Sequence, residues 1–98
     1  MTLSVHLRPE AEQDIEEAAS WYEKQSAGLG NEFLDEVLVT LERVAELPSL
    51  YPIIYRNTLR ALIHRFPFGI YYRVEGEQIV VVAVMHGSRN PTRWKKRT

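Results

Sequence analysis

Residues 59–86 read LRALIHRFPFGIYYRVEGEQIVVVAVMH, and this stretch decides the fold. Apolar and polar residues alternate through much of it, which predicts strands over Leu59–Phe66 and Pro67–Val74. Glu75-Gly76-Glu77 predicts a tight hairpin turn, and a third strand follows it over Gln78–His86. Because the third strand is apolar almost without interruption, we expect it to be central in a sheet and buried on both faces.

The N-terminal half predicts one strand and then a pair of helices. Alternation over residues 3–7 indicates a strand. A first amphipathic helix opens with Pro9 in its first turn, where proline is tolerated. A second helix runs from about residue 30 to residue 47, and Pro48 ends it. The short glycine-containing break at residues 28–30 makes the two helices a hairpin.

These elements follow the order β-α-α-β-β-β, with residues 49–58 predicted to form a loop. The order indicates an α+β domain in which a helical hairpin packs on one face of an antiparallel sheet. A length of 98 residues fits one domain over residues 1–98. The helical positions expected to face the sheet are Ala11, Ile15, Ala18, Ala19, Tyr22, Phe33, Leu34, Val37, Leu38, Leu41, Val44 and Ala45.

The bulk composition excludes several classes of function. The chain has no cysteine, which removes disulfides, thiol chemistry and most structural zinc sites. Three scattered histidines make a poor metal site, and no cofactor-binding glycine motif is present, so we expect neither metal nor cofactor. The sequence shows no signal peptide and no apolar run of about 20 residues, so we expect a cytoplasmic protein.

Charge is divided between the two halves of the chain. Residues 1–48 hold three basic and eleven acidic residues, a balance of −8. Residues 49–98 hold nine basic and two acidic residues, a balance of +7. Two surfaces with different partners would produce this division. The alternative is that helices favour glutamate and the two halves simply attract each other.

Arginines run along the predicted C-terminal sheet. A guanidinium group presents a planar fork that matches phosphate or carboxylate and stays charged at any working pH. Several of them on one sheet could hold a nucleic-acid backbone or an acidic protein segment. The alternative is a solvated sheet edge protected by positive charge. The candidate binding residues are Arg56, Arg60, Arg65, Arg73, Arg89 and Arg93.

The histidines offer one route to catalysis. Cleavage of RNA through its own 2′-hydroxyl needs a base, an acid and cations around the phosphate. His86 or His64, with Arg89 and Arg65, could supply those parts. The alternative is that each histidine is a hydrogen-bonded structural residue at a strand position.

Aromatic residues lie among the charged ones. Trp94 is surrounded by basic residues and could stack on a nucleic-acid base. We favour a second role, in which it clamps the tail onto the sheet through cation–π contact with an arginine. Trp21 and Tyr22 at the end of the first helix are candidates for the core or for a partner's groove.

Several motifs together resemble one protein family along essentially the whole chain. They are Arg8-Pro9 with Ala11, Trp21-Tyr22, Gly28-Leu29-Gly30 before Phe33, Arg65-Phe66-Pro67-Phe68-Gly69-Ile70-Tyr71-Tyr72, Val81 to His86, and Arg89-Asn90-Pro91 with Trp94. In this order they resemble the RelE/ParE superfamily of bacterial toxins from type II toxin–antitoxin (plasmid stabilisation) systems. The fold of that superfamily agrees with the β-α-α-β-β-β order.

The resemblance implies a toxin that a cognate antitoxin holds inactive, and a toxin–antitoxin hetero-oligomer is one assembly that it allows. RelE-like members cut messenger RNA on the ribosome, and ParE-like members poison DNA gyrase. The nuclease set maps poorly here, because residues 49–65 contain no lysine and Trp94 stands where a tyrosine would act. Tryptophan cannot exchange a proton. The sequence therefore favours a ParE-like gyrase inhibitor that is not an enzyme.

Two alternatives stay open: a ribosome-dependent endoribonuclease, and a degenerate toxin that acts only as a binding partner. In every case we expect the antitoxin to lay an apolar helix over the two-helix face and acidic residues on the basic sheet.

Overall fold

A computed structural model describes residues 2–87 and 91–98. The β-α-α-β-β-β order is confirmed, with one short strand and one short helix in addition. The elements are β1 Ser4–Leu7, α1 Pro9–Gln25, α2 Leu29–Glu46, a 3-10 turn Pro48–Leu50, β2 Ile53–Tyr55, β3 Thr58–Leu62, β4 Phe68–Glu75, β5 Gln78–His86 and α3 Thr92–Lys95. Within the described ranges, no helix is long and apolar enough to span a membrane.

The five strands form one sheet in the order β1-β5-β4-β3-β2. All neighbours are antiparallel except β1, which pairs parallel to β5 with Leu7 opposite Val81. The prediction for β5 is confirmed, since it lies between two strands and is buried from Ile79 to Met85. A two-residue turn with Gly76 at φ +63° joins β4 to β5, as the hairpin motif predicts.

The two long helices cover one face of the sheet, which we call the helix face. Its core centres on Phe33 of α2, which is fully buried. The Phe33 ring lies 5.2–5.3 Å from the rings of Tyr22, Phe66 and Phe68. Most predicted helical core positions are buried, but Leu38 is 58% exposed and does not belong to the core.

The glycines between the helices do more than end a helix. Gly28 has φ +88°, a left-handed conformation that glycine adopts without strain. A Cβ on Gly30 would stand 2.6 Å from the backbone oxygen of Ala19, so only glycine lets α1 and α2 approach this closely. The carboxylate of Glu23 accepts hydrogen bonds from the backbone N–H groups of Gly28 and Gly30.

The prediction of a loop over residues 49–58 is partly wrong. Ile53–Tyr55 pairs with β3 as a short edge strand with an irregular register. Three residues carry too weak a pattern to identify a strand, and the pairing with β3 stabilises it. The preceding proline segment forms a single 3-10 turn.

The predicted strand Leu59–Phe66 ends earlier than its pattern indicates. β3 stops at Leu62, and Arg65 adopts φ +74° within the turn that leads into β4. His64 and Arg65 are therefore turn residues and not strand residues. The tight turn needs a left-handed residue, and this local geometry overrides the alternating pattern.

The C-terminal tail wraps around the free edge of β5, beyond the end of β1. Arg97 forms a two-pronged ion pair with Asp14 of α1, with nitrogen–oxygen distances of 2.6 and 3.3 Å. Arg97 also donates to the backbone oxygen of Val82, and Asp14 accepts from the backbone N–H of Val84. Arg8 donates to the backbone oxygen of Arg97 at 2.6 Å. These charged groups satisfy backbone positions that a neighbouring strand would otherwise satisfy.

Candidate interaction surface on the sheet

The face of the sheet opposite the helix face carries α3, and we call it the α3 face. Tyr71, Val80, Val82, Ala83, Met85 and Trp94 form a second apolar cluster there. Strand alternation puts Arg60 and Arg73 on this face, because Arg60 pairs with Tyr71 and Arg73 pairs with Val80. The predicted arginine row is therefore partly assembled on one surface.

Arg65 does not belong to that surface. Its guanidinium donates to Glu32 of α2 at 2.9 Å and lies 4.0 Å from Glu36. The hydrogen bond to Glu32 and the charge of that carboxylate raise the pKa of Arg65 above its ordinary value. His64 lies beside it, with Nδ1 3.8 Å from Glu36. Acidic residues of α2 thus compensate the charge of this turn.

Arg73 lies on the α3 face but has an acidic partner. Its Nη2 lies 2.9 Å from Glu75 Oε2, on the same strand. Its Nη1 reaches the backbone oxygen of Thr98 at 3.5 Å. Arg73 therefore links the β4–β5 hairpin to the tail, and little of its charge is left for a partner.

Arg60 has no acidic partner among the described residues. Its Nε is buried without a hydrogen bond. The stem of the side chain crosses Gly69, where a Cβ would stand 3.1 Å from Arg60 Cγ. Because Gly69 has no side chain, the Arg60 side chain can pack directly against the backbone of β4.

Two further cations lie over the ring of Tyr55. Lys95 Nζ lies 4.7 Å from the ring centroid, and Arg56 Cζ lies 5.1 Å from it. Both distances are within the range of cation–π attraction. Neither cation has an acidic partner in the part of the chain that the structure describes.

Trp94 fixes the tail to the sheet. The ring is 6% exposed and stacks on Tyr71, with centroids 4.7 Å apart and planes inclined by 23°. Tyr55 contacts it edge-on at 5.9 Å. The cation over the Trp94 ring is Lys95, with Nζ 5.8 Å from the ring centroid, and not an arginine as the sequence predicts. Aromatic stacking is thus the main contact of the clamp.

A groove of about 690 Å³ lies between α1 and the ends of β4 and β5, and Arg93 of α3 contributes to its lining. Trp21 is 58% exposed on its rim, and burial raises the pKa of Tyr22 in its wall. The residues that line the groove are Asp14, Glu17, Ala18, Trp21, Tyr22, Pro67, Phe68, Val84, Met85, His86 and Arg93.

The structure distributes the nuclease candidates over two places. His64 and Arg65 face the acidic residues of α2. His86 lies in the groove, with its ring 5.4 Å from that of Phe68. Arg89 lies outside the described residues. Within the described ranges, no three histidine, aspartate or glutamate side chains are grouped to hold a metal ion.

Sequence reasoning missed two parts of this arrangement. It did not single out Asp14 and Arg97, whose link depends on a contact between the first helix and the tail. It also did not separate Arg60 from the other arginines. The alternation of Thr58, Arg60 and Leu62 was the available signal, since it places all three on the face opposite Leu59 and Ala61.

A mostly antiparallel sheet with a helical hairpin on one face agrees with the fold that the resemblance to the RelE/ParE superfamily implies. The model of the family described as "ParE toxin of type II toxin-antitoxin system, parDE" matches residues 5–91. The chain therefore belongs to the ParE toxin family.

Individual proteins agree with this assignment. The chain is 28% identical over 95 residues to Toxin ParE2 of Mycobacterium tuberculosis strains CDC 1551 / Oshkosh and H37Rv, covering 93% of this chain and 88% of the relative. A chain of the chromosomal ParDE system of P. aeruginosa matches with a TM-score of 0.71 at 14% identity, over 87% of this chain and 96% of that one.

The toxin–antitoxin complex RelBE2 of M. tuberculosis contains a chain with a similar fold. Its TM-score is 0.63 at 14% identity, over 88% of this chain and 99% of that one. At such low identity these two structural matches show the shared fold alone.

Proposed function

We propose that this toxin stops growth by inhibiting DNA gyrase, without cutting RNA. The observation that carries the proposal is the makeup of the α3 face. Its cations include Arg56, Arg60 and Lys95, which have no acidic partner among the described residues. Trp94 is buried on the same face, and its indole ring cannot act as a catalytic acid or base. The cations of this surface therefore favour binding over proton transfer.

A cognate antitoxin belongs to the same proposal. The family model and the related complexes are of toxin–antitoxin systems, which supports a protein partner that keeps the toxin inactive. The antitoxin would place an apolar helix against the helices and acidic residues against the α3 face. Because gyrase acts on chromosomal DNA, we place the toxin in the cytoplasm.

Ribosome-dependent RNA cleavage is the second candidate. It is favoured by His86, which lines the groove of about 690 Å³ together with Arg93. In this case His86 would move a proton and the arginines would hold the phosphate.

One experiment separates these functions. The chain is induced without antitoxin, and growth, DNA-damage signalling and transcript ends are followed together, while the purified protein is added to a gyrase supercoiling assay. We expect growth arrest, DNA-damage signalling, inhibited supercoiling and intact transcripts. Transcripts cut at defined codon positions would replace the gyrase proposal with the nuclease. Normal growth at full expression would identify a degenerate toxin that only binds partners.

A further inference from the structure

Arg60 is half-buried, and no acidic side chain among the described residues pairs with its guanidinium. Most partly buried arginines meet a carboxylate, because removing a charged group from water without a partner costs free energy. Two other arginines in this sheet region follow that rule, since Arg65 pairs with Glu32 and Arg73 with Glu75. Arg60 has no such partner among the described residues, and its Nε is buried without a hydrogen bond.

The surroundings of Arg60 add two features on the same face. Thr58 is fully buried, and its Oγ1 has no hydrogen-bond partner. Leu62 is 65% exposed, which places a large apolar side chain next to the cation. Leu62 pairs across the sheet with Gly69, which has no side chain to cover it. The surface therefore combines an unpaired cation with an uncovered apolar group.

We propose that Arg60 and Leu62 form an anchor for an acidic, amphipathic segment of a partner protein. A carboxylate of the segment pairs with the guanidinium of Arg60, and an apolar side chain of the segment covers Leu62. Arg56 and Lys95 extend the positive field toward β2 and attract further acidic residues. The partner is the antitoxin, so this inference rests on the proposed function.

The described contacts favour a protein segment over a nucleic acid. Single-stranded nucleic acids bind through open aromatic faces on which bases stack. Here Tyr71 and Trp94 stack on each other and are buried. The ring of Tyr55 already carries Lys95 and Arg56. A phosphate backbone would also leave Leu62 uncovered, whereas an amphipathic segment satisfies both the charge and the apolar group.

The test uses the full-length chain and the product of the reading frame adjoining its gene. Affinity is measured by calorimetry at low and high salt for wild type, Arg60→Gln and Leu62→Ser. We expect Arg60→Gln to weaken binding by about 10- to 100-fold at low salt, as loss of a charge-assisted hydrogen bond predicts. We expect Leu62→Ser to weaken it by about fivefold or more through lost apolar burial.

Arg65→Gln is the matched control, because Arg65 is an arginine whose partners lie on α2. It should change the affinity less than about threefold. Arg60→Lys should restore part of the binding, since it keeps the charge without the planar fork. The urea midpoint of each variant shows whether the substitution alters folding. Because Leu62 is exposed, its replacement tests the anchor even if Arg60→Gln destabilises the protein.

Three outcomes decide the matter. Equal affinities for Arg60→Gln and Arg65→Gln, with Leu62→Ser unchanged, would overturn the anchor. Loss of binding to a 12-nucleotide single-stranded DNA in Arg60→Gln, with antitoxin affinity unchanged, would assign Arg60 to nucleic acid and also overturn it. If the wild-type chain does not bind the adjoining gene's product at all, the proposed antitoxin partnership itself fails, which is a different result from binding that the variants leave intact.

Discussion

The two faces of the sheet share the same strands but use them differently. On the helix face, Ile70, Tyr72 and Val81 are fully buried and pack under two helices. On the α3 face, Arg60 of β3 and Arg73 of β4 pair with residues of the smaller apolar cluster, to which Trp94 of the four-residue helix α3 belongs. The difference teaches that the helix face is the larger apolar core, whereas the α3 face combines a smaller apolar cluster with cations that we propose are available to a partner.

The polar atoms show the same contrast. Among the described residues, three buried side-chain atoms have no hydrogen bond, and they belong to Thr58, Arg60 and Arg73. All three residues lie on the α3 face. The buried hydroxyl of Tyr72 on the helix face, by contrast, donates to the backbone oxygen of Pro48 at 2.6 Å. Unsatisfied groups are therefore concentrated where a partner is proposed to bind.

The largest expected effect comes from breaking the helix face. Phe33→Ala removes a fully buried ring that contacts three other aromatic rings. We expect a loss of about 3–5 kcal/mol in the free energy of unfolding, measured by urea denaturation. Leu38→Ala on the same helix is the control, because Leu38 is mostly exposed and should cost far less. Similar losses for both would show that the core is not centred where the structure places it.

The next effect concerns the link that joins the two faces around the edge of β5. Asp14→Asn removes the negative charge of the carboxylate that pairs with Arg97 and accepts a hydrogen bond from the backbone N–H of Val84. We expect a loss of about 2 kcal/mol and earlier proteolytic release of the tail, since hydrogen bonds to charged groups contribute roughly that much. Glu32→Gln removes an exposed partner of Arg65 and should have little effect. A stable, protease-resistant Asp14→Asn protein would show that the tail is held without the Asp14–Arg97 ion pair.

Tyr72 gives the helix face a dependence on alkaline pH. Burial raises the pKa of Tyr72 from 10.0 to about 12. The folded state therefore keeps a proton that the unfolded state loses above pH 10, so stability falls as pH rises from about 10 to 12. Relative to Tyr72→Phe, wild type should lose on the order of 2 kcal/mol across that window, measured by urea midpoints at each pH. Parallel pH curves for the two proteins would contradict this.

The smallest effect should come from the α3 face. Thr58→Val replaces a buried hydroxyl that has no partner with an apolar group of similar shape. We expect stability to stay equal or to rise by up to about 1 kcal/mol, because the cost of an unsatisfied buried hydroxyl disappears. Thermal unfolding compared with Thr40→Val measures it, since the hydroxyl of Thr40 donates to the backbone oxygen of Glu36. Clear destabilisation by Thr58→Val would mean that its hydroxyl has a partner.

Much of the fold follows from local patterns. The continuous apolar run at residues 79–85 is a sufficient signal for a central strand, and Pro9 and Pro48 bound the helical region correctly. The short strand β2 was not predictable, because three residues become a strand only through pairing with β3. The end of β3 was also not predictable, since the left-handed Arg65 depends on the geometry of one turn.

The sequence predicted the arginines of the candidate site as one group, and the structure gives each arginine a different environment. The sequence by itself determined that the C-terminal half is a basic sheet and the N-terminal half acidic helices, because composition and periodicity are local properties. Tertiary structure decided that Glu32 of α2 compensates the charge of Arg65 and that Glu75 compensates the charge of Arg73. It also left Arg60 without an acidic partner among the described residues. The physical reason is that the availability of a charge depends on which groups lie within a few ångströms of it, and the partner of Arg65 comes from a distant part of the chain.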